Sequence, residues 1–371
     1  MAKTFTAVSI LIGTTIGAGI LGLPYVIMRS GFLIGFLNLI LIAVIILIIT
    51  LYLGEIGLRT KNNRQLTGYA ELYLGKKGKF LMLLAFAFGI YSSLIAYLIG
   101  EGESLSFLIF NTGQYSLHLG IAFWLLLSIT SCFGMKALKE GEKFGTAIIF
   151  ILIILITILF WNKIDISNLT YNNPSLFYLP FGVTLFAFLG FAAIPEVEEI
   201  LTKDKHLTKK TIYISTLTTL LIYTIFTAVV LGSQGTSTPN IATIALGKIF
   251  IILGILTMYT SYLALTTALV NSLHYDFKKS KTKAWLYTIS LPLIIYIILN
   301  IFNASSFTKV IGIGGVISGS LTGILILLMI KKAKLNGKRE PEYSIPHSNL
   351  LTWLIILILT IGTVLELVNS V

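Results

Sequence analysis

Long apolar runs alternate with short polar segments along the whole chain. A helix needs about 20 apolar residues to cross a bilayer, and eleven runs approach or exceed that length. They cover residues 5–28, 31–54, 80–109, 119–135, 145–161, 180–201, 211–232, 247–273, 284–301, 308–330 and 350–369. The pattern predicts an all-α integral membrane protein with eleven transmembrane helices that form one domain, residues 1–371.

The composition supports this prediction. Of the 371 residues 56% are hydrophobic and only 11% are charged, which excludes a soluble globular protein. The single cysteine, Cys132, excludes an internal disulfide. Apolar residues follow Met1 almost directly, as in a secretion signal. No cleavage site followed by a polar domain is present, so we interpret the first run as a retained span.

Basic residues outnumber acidic ones, and the net charge is +12. Such a balance can indicate nucleic-acid binding, but these charges lie in short segments between the apolar runs. Basic segments of membrane proteins face the cytoplasm. We therefore predict a multi-pass protein of the cell membrane with a cytoplasmic N-terminus, an extracellular C-terminus and no nucleic-acid partner. Of the 27 lysines and arginines, those on the opposite side of the predicted membrane are Arg29, Lys163, Lys248 and Lys309.

The first apolar run is interrupted by glycine at its centre. Gly13, Gly17, Gly19 and Gly22 precede Pro24, and each glycine costs a helix about 1 kcal/mol relative to alanine. Non-helical backbone at membrane depth is tolerated only where protein encloses it or where it lines a cavity. The run predicts a helix that breaks at mid-depth and exposes peptide groups to a ligand. The alternative is a seam of small residues for close helix packing.

The sixth run shows a second interruption. Its apolar part ends at Ile194, and Pro195 and Glu196 follow, which is a helix-start signal. We predict a break near residues 190–194 and a new half-helix from about Pro195. The alternative is a plain short helix that ends at Pro195, with the acids in a loop.

The interrupted spans are the first and the sixth, so each half of the chain contains five spans. Because five is odd, the second half must lie upside down relative to the first. Inverted repeats of this kind form many secondary transporters, with binding sites at the helix breaks. The repeats would cover residues 5–161 and 180–330, followed by an extra helix at 350–369, and no repeat is visible residue by residue.

Three motifs support a resemblance to a known family. The segment Gly13–Pro24 resembles the first helix of the aromatic amino acid permeases and the amino acid/auxin permeases, within the amino acid-polyamine-organocation superfamily. The segments Tyr97–Glu101 and Gly190–Val197 resemble their third and sixth helices. The resemblance implies a leucine-transporter-type fold, with discontinuous helices 1 and 6. It also implies alternating-access transport of amino acids together with Na⁺ or H⁺.

An amino acid presents a carboxylate and an ammonium to its site. Unpaired N–H groups at half-helix N-termini favour the carboxylate, which we place near Gly17–Gly19, and exposed carbonyls near 186–190 favour the ammonium. Aromatic side chains from the third and sixth spans would surround an apolar or aromatic substrate side chain. The predicted substrate site comprises Thr14, Ile16, Gly17, Ala18, Gly19, Tyr97, Phe186, Leu189, Gly190 and Phe191.

The coupling ion has two candidates. Thr257, Thr260 and Ser261 share one helix face, and with the carbonyls of Gly13 and Ile16 they predict a Na⁺ site of hard oxygen ligands. These hydroxyls can instead bond to carbonyls of their own helix. For proton coupling the candidates are Glu196 and Lys143. We favour Na⁺, and we predict no other cofactor.

Other protein classes receive little support. The four histidines, His118, His206, His274 and His347, lie near span ends or in loops, and no HExxH or GxSxG motif is present, so we predict no enzyme. A channel would need a ring of carbonyls or charges, usually from an oligomer, whereas we expect a monomer. The alternatives are a nutrient sensor that binds amino acids without flux and a permease for another small amine.

Overall fold

A computed structural model of the chain describes residues 2–62, 64–132 and 150–370, and the regular elements of these ranges are helices. Short 3₁₀ and π turns join or interrupt several of them. The α-helices are α1 (Ala2–Thr15), α2 (Gly19–Ser30), α3 (Phe32–Arg59), α4 (Leu66–Phe110), α5 (Ser116–Cys132), α6 (Phe150–Lys163), α7 (Ser167–Thr170), α8 (Pro180–Ala187), α9 (Ile194–Ile200), α10 (Thr208–Gln234), α11 (Ala242–Leu246), α12 (Lys248–Asn271), α13 (Lys281–Ile301), α14 (Phe307–Gly314), α15 (Ser320–Asn336) and α16 (Asn349–Ser370).

Eight helical stretches within the described ranges are long and apolar enough to cross a membrane, and the bent pair α1–α2 makes up to nine. The shorter apolar helices α5 and α6 correspond to the fourth and fifth predicted spans. Large apolar side chains lie on the outside of the bundle, as in the exposed row Leu33, Leu37 and Leu41 on α3. Such an apolar surface is stable in contact with lipid and unfavourable in contact with water. The chain is therefore a multi-pass helical membrane protein, and the count of eleven stays a prediction.

The third predicted span begins earlier than its apolar run. Helix α4 starts at Leu66 instead of residue 80, and its backbone leaves helical geometry at Gly75, where φ is 76°. The part before Gly75 packs on its neighbours, since the hydroxyls of Tyr73 and Thr60 lie 2.9 Å apart. Apolar run length reports only the part of a helix that contacts lipid, so it places the start of this span at residue 80. For residues 65–73 the sequence favours a separate short interfacial helix, and the structure joins that helix to the span at Gly75.

One end of the bundle, where α3 and α15 stop, contains the connector 337–348, and we call it the basic end. Glu55, whose side chain is fully buried, lies at its centre. The carboxylate ties the connector to α3 and α15. Its donors are Arg59 Nε at 2.8 Å, Lys334 Nζ at 2.7 Å, Ser344 Oγ at 2.9 Å and the Ile345 backbone N–H at 2.8 Å.

Tyr343 anchors the same connector deeper in the bundle. Its hydroxyl donates to the backbone oxygen of Leu51 at 2.8 Å, and a side chain on Gly54 would overlap that hydroxyl. Burial raises the pKa of the Tyr343 hydroxyl, so this group is a donor at neutral pH. The connector is thus a packed part of the basic end.

The opposite end of the bundle is closed by contacts between its connectors. Gly31, between α2 and α3, has a φ of 97° and lies against Asn172, where a Cβ atom would overlap the backbone. The Asn168 side-chain amide donates to Gly232 O at 2.9 Å, and Thr308 Oγ1 donates to Asn240 Oδ1 at 2.8 Å. These contacts tie the connectors at this end to one another and to α10 and α14.

Candidate functional site

The first helix interruption lies at residues 16–18. Helix α1 ends at Thr15, α2 begins at Gly19, and the two axes differ by 55°. The first N–H groups of a helix have no intrahelical partner, and no side chain caps the start of α2 at Ala18. The interruption therefore presents backbone donors at the place where the glycine pattern predicted them.

The second interruption lies between α8 and α9. Helix α8 ends at Ala187, Gly190 has non-helical angles, a 3₁₀ turn covers Phe191–Ala193, and α9 begins at Ile194. The break starts a few residues before the predicted 190–194. The reason is that the Leu189 N–H bonds three residues back to Phe186 O, while the Phe188 N–H is shared between Thr184 O and Leu185 O, which ends the α-helix early. Pro195 lies in the first turn of α9, as its helix-start pattern indicates.

The two interruptions pack directly on each other through glycine. A Cβ atom on Gly19 would lie 2.5 Å from the Cα of Ala187, and a Cβ atom on Gly190 would overlap Thr15 Oγ1. Gly19 therefore packs on the backbone of the second break, and Gly190 packs on the Thr15 side chain beside the first. A larger residue at Gly19 would force the two segments apart, because the backbone of Ala187 cannot rotate away.

Tyr223 on α10 joins the two helix ends at this crossing. Its side chain is fully buried, and its hydroxyl lies 2.6 Å from Ala187 O and 3.2 Å from Thr15 O. These carbonyls belong to the last residues of α8 and α1, which lack intrahelical donors. The ring also packs edge-on against Phe188, with 5.1 Å between centroids. One side chain thus holds both breaks together.

Tyr97 on α4 approaches the same crossing from another side. Its hydroxyl lies within hydrogen-bonding reach of the Ala18 backbone and the Ser261 side chain, and 3.3 Å from the place where a Cβ on Gly17 would stand. The side chain of Tyr97 is buried, whereas Gly17 is half-buried. Tyr97 therefore links the first break to α12.

Other predicted substrate residues surround the breaks. Ile16 and Phe191 are buried, and Thr14 is exposed. Phe186 and Leu189 are half-buried and pack against the glycine-rich π turn Gly315–Gly319 and its neighbour Gly314, where side chains on Gly315 and Gly319 would contact them. Such π turns are frequent at functional sites.

The hydroxyls of the predicted Na⁺ site divide into two groups. Thr257 donates to Gly254 O at 2.7 Å and Thr260 donates to Thr257 O at 3.0 Å, both within α12. Ser261 faces Tyr97 and so reaches the first break. In the described ranges no cluster of three histidine, cysteine, aspartate or glutamate residues is placed to hold a metal ion.

The acids near the second break lie in different surroundings. Glu196 has an exposed side chain, whereas Glu198, which the sequence did not single out, is buried and accepts a hydrogen bond from Tyr69 at 3.1 Å. A side chain on Gly57 would overlap the Glu198 carboxylate. Lys143, the other predicted proton carrier, lies outside the described residues.

The fold and this crossing define a helical membrane protein whose two interrupted segments meet in the interior of one bundle. Comparison with known proteins places it more narrowly. The chain belongs to the tryptophan/tyrosine permease family, whose profile matches residues 1–257 and 237–368. The resemblance to aromatic amino acid permeases that the motifs indicated is therefore confirmed.

Two relatives carry transporter names. The chain is 23% identical over 367 residues to Glutamine transporter 2 of Aliivibrio fischeri, covering 94% of this chain and 92% of that protein. It is 27% identical over 266 residues to Amino acid transporter AVT3B of Arabidopsis thaliana, covering 66% of this chain and 63% of that protein. These matches indicate amino acid transport and a transporter rather than an enzyme.

Sequence reasoning missed Tyr223 and Glu198. Both residues owe their importance to contacts with distant parts of the chain. In such a sequence neither a tyrosine in the middle of a span nor a glutamate near a span end is unusual. The sequence could indicate only that a donor is needed, since the carbonyls at a helix break require a hydrogen-bond donor from elsewhere in the chain.

Proposed function

We propose that the protein is a secondary active transporter of neutral amino acids with apolar or aromatic side chains. It would work in symport with Na⁺ or H⁺ by alternating access, as a monomer in the cell membrane. The observation that carries the proposal is the crossing of two helix breaks through Gly19 and Gly190, with Tyr97 and Tyr223 inserted from neighbouring helices.

This crossing offers complementary groups to an amino acid. The uncapped start of α2 supplies backbone donors for a carboxylate, and the Tyr97 hydroxyl lies beside them. The last turn of α8 supplies carbonyl oxygens for an ammonium group. Phe186 and Phe191 would contact the substrate side chain in this proposal.

The packing of the half-helices supports the inverted repeat. Helix α1 packs against α9, and α2 packs against α8, so each half-helix before a break contacts the half-helix after the other break. A twofold relation between residues 5–161 and 180–330 would produce this reciprocity. Rocking of one bundle against the other around the crossing would then expose the substrate alternately to the two sides, with the basic end in the cytoplasm.

Either ion of the proposed symport has residues that can hold it. For Na⁺ these are the hydroxyls of Thr257, Thr260 and Ser261 with the carbonyls of Gly13 and Ile16. For H⁺ they are Glu196 or Lys143. Two uptake measurements distinguish Na⁺ from H⁺ as the coupling ion. Replacing Na⁺ by choline stops uptake driven by Na⁺, and a protonophore stops uptake driven by a proton gradient. For a Na⁺ symporter, Thr260→Ala and Ser261→Ala are expected to raise the Na⁺ concentration that gives half-maximal uptake.

The test of transport is counterflow in proteoliposomes that contain the purified protein. The probes are labelled tyrosine and tryptophan, from the family name, and glutamine, from the name of the bacterial relative. We expect exchange of at least one, and loss of exchange in Gly17→Leu, whose side chain would fill the space beside Tyr97. Binding without exchange would instead indicate a nutrient sensor. Wild-type exchange by Gly17→Leu would show that the substrate does not bind at this break.

A further inference from the structure

Glu101 is a buried carboxylate without a partner. Four acidic side chains are buried in the described part of the chain: Glu55, Glu101, Glu198 and Glu366. The other three receive hydrogen bonds, Glu55 from several donors, Glu198 from Tyr69 and Glu366 from the Gly182 backbone. Glu101 is fully buried, and neither of its carboxylate oxygens has a hydrogen-bond partner.

The position of Glu101 places it beside the crossing of the two breaks. Tyr97 precedes it by four residues on α4, so both side chains lie on the same side of that helix, about 6 Å apart along its axis. Tyr97 faces Ser261, and a Cβ atom on Gly100 would lie 2.9 Å from Met258 Sδ. These two contacts fix α4 antiparallel to α12, and they place Glu101 one turn from the crossing, away from the basic end.

Among the described residues, no charged group pairs with Glu101. Of the elements packed on α4, α15 carries its lysines at the basic end, where Lys334 pairs with Glu55. Tyr296 of α13 donates to Ser116 O at 2.9 Å, and Tyr97 reaches the first break. None of these groups forms a hydrogen bond or ion pair with Glu101. The other titratable side chains on these elements and on α4 near Glu101 are Glu103 on α4, His118 on α5, Lys248, Tyr259 and Tyr262 on α12, Lys281, Lys283 and Tyr287 on α13, Lys309 on α14, and Lys331 and Lys332 on α15.

An isolated ionised carboxylate is strongly disfavoured in an apolar interior, and such a group takes up a proton instead. In this arrangement Glu101 therefore carries a proton. A substrate carboxylate bound at Gly17–Gly19 would add a negative charge nearby. Like charges at short range oppose ionisation, so substrate and proton would favour each other's binding.

We propose that Glu101 is the binding site for a coupling proton. The inference rests on the proposed transport function and selects H⁺ as a transported ion. The carboxylate takes a proton from the solution on the side to which the site is open, and the substrate then binds beside the neutral acid. When the site opens to the other side, substrate and proton leave together, and Glu101 is again free to bind a proton.

The experiment uses the full-length protein in proteoliposomes, with whichever of labelled tyrosine, tryptophan or glutamine the wild type exchanges. Two quantities are measured: counterflow without a gradient and accumulation driven by a proton gradient. In Glu101→Gln, which mimics the protonated acid, we expect accumulation to fall at least about tenfold, a typical coupling factor. Counterflow should fall far less and lose its dependence on pH. Glu103→Gln is the matched control, because Glu103 points to the other side of α4, toward Tyr296, and it should behave as wild type.

The outcomes separate this inference from the proposed function. If the wild type exchanges none of the amino acids, the transport proposal itself fails. If it exchanges them but a proton gradient drives no accumulation, or if Glu101→Gln accumulates as well as wild type, only the role of Glu101 is overturned. Should Glu101→Gln fail to fold, Glu101→Asp replaces it. We expect Glu101→Asp to shift the pH at which accumulation is half-maximal, and an unchanged pH profile would refute the proposal.

Discussion

The hydroxyl of Tyr223 lies 2.6 Å from the backbone oxygen of Ala187, the last residue of α8. The same hydroxyl lies 3.2 Å from Thr15 O, at the end of α1. A phenol has one proton to donate, so the closer carbonyl of Ala187 is its main acceptor. The contact makes α10 the element that holds the two helix breaks in register.

Tyr223→Phe tests this contact. Removing the hydroxyl takes its donor from the buried Ala187 carbonyl, whereas Thr15 O still accepts from the Gly17 N–H. We expect this loss to destabilise the protein by about 1–3 kcal/mol and to slow amino acid exchange. The measurements are the apparent melting temperature of the purified protein and counterflow. Tyr213→Phe on the exposed side of the same helix is the control and should change neither. A Tyr223→Phe protein with wild-type stability and exchange would show that the contact is dispensable.

Gly19→Ala tests the crossing of the breaks. The added methyl group would lie 2.5 Å from the Cα of Ala187, which is backbone and cannot rotate away. We expect the variant to reach the membrane but to lose most of its exchange activity, because the two segments must separate. Gly113→Ala is the matched control, since its methyl group would meet its nearest neighbour at an ordinary 3.6 Å. Equal activity of the two variants would contradict the packing argument.

Tyr97→Phe tests the link between the first break and α12. Loss of the hydroxyl removes its contacts with the Ala18 backbone and Ser261. A lost hydrogen bond of about 1.4 kcal/mol corresponds to a roughly tenfold rise in KM for uptake, which initial rates over a substrate series measure. Tyr91→Phe on the same helix, whose hydroxyl donates to Tyr287 O at 3.3 Å, should leave KM unchanged. A similar rise in both variants would assign the effect to α4 in general.

Glu55→Gln tests the closure of the basic end. The variant leaves Lys334 and Arg59 without the carboxylate that both contact. We expect the free energy of unfolding to fall by about 1–3 kcal/mol, and not by more, because the two cations are partly exposed to solvent. Release of the connector 337–348 should also speed its cleavage by trypsin. Glu71→Gln removes the partner of Lys79 in a more exposed pair and should cost less than about 1 kcal/mol. Unchanged trypsin resistance in Glu55→Gln would show that the other contacts of the connector, such as Tyr343 with Leu51 and Tyr52 with Pro346, hold it without the carboxylate.

Single-cysteine labelling tests the orientation. On a Cys132→Ser background, Lys205→Cys lies at the basic end and Ser175→Cys lies in a connector at the opposite end. In intact cells we expect a membrane-impermeant maleimide to label residue 175 and to reach residue 205 only after permeabilisation, since positive segments face the cytoplasm. Labelling of residue 205 from outside would reverse the proposed topology.

Much of the architecture was predictable because its causes are local. Apolar run length predicted the helices and the membrane, and the position of Gly17 and Gly19 predicted where the first helix ends. The predicted third span left out the start of α4, because residues 66–75 pack on other helices instead of lipid, and the sequence favoured a separate short helix there. The second break was placed a few residues late, because the 3₁₀-type bond from the Leu189 N–H to Phe186 O leaves no mark on the apolar pattern.

By itself the sequence determined a multi-pass helical membrane protein, the place of its glycine-weakened backbone and its family, because hydropathy, glycine content and motifs are properties of neighbouring residues. Only the tertiary structure decided which side chains serve those breaks. Tyr223 meets Ala187 and Thr15 across 36 and 208 residues of chain, and Glu101 differs from Glu55 only in the donors that packing brings to it. Such differences arise because a buried polar group costs free energy unless it has a hydrogen-bond partner. Packing between distant helices determines which groups have such partners.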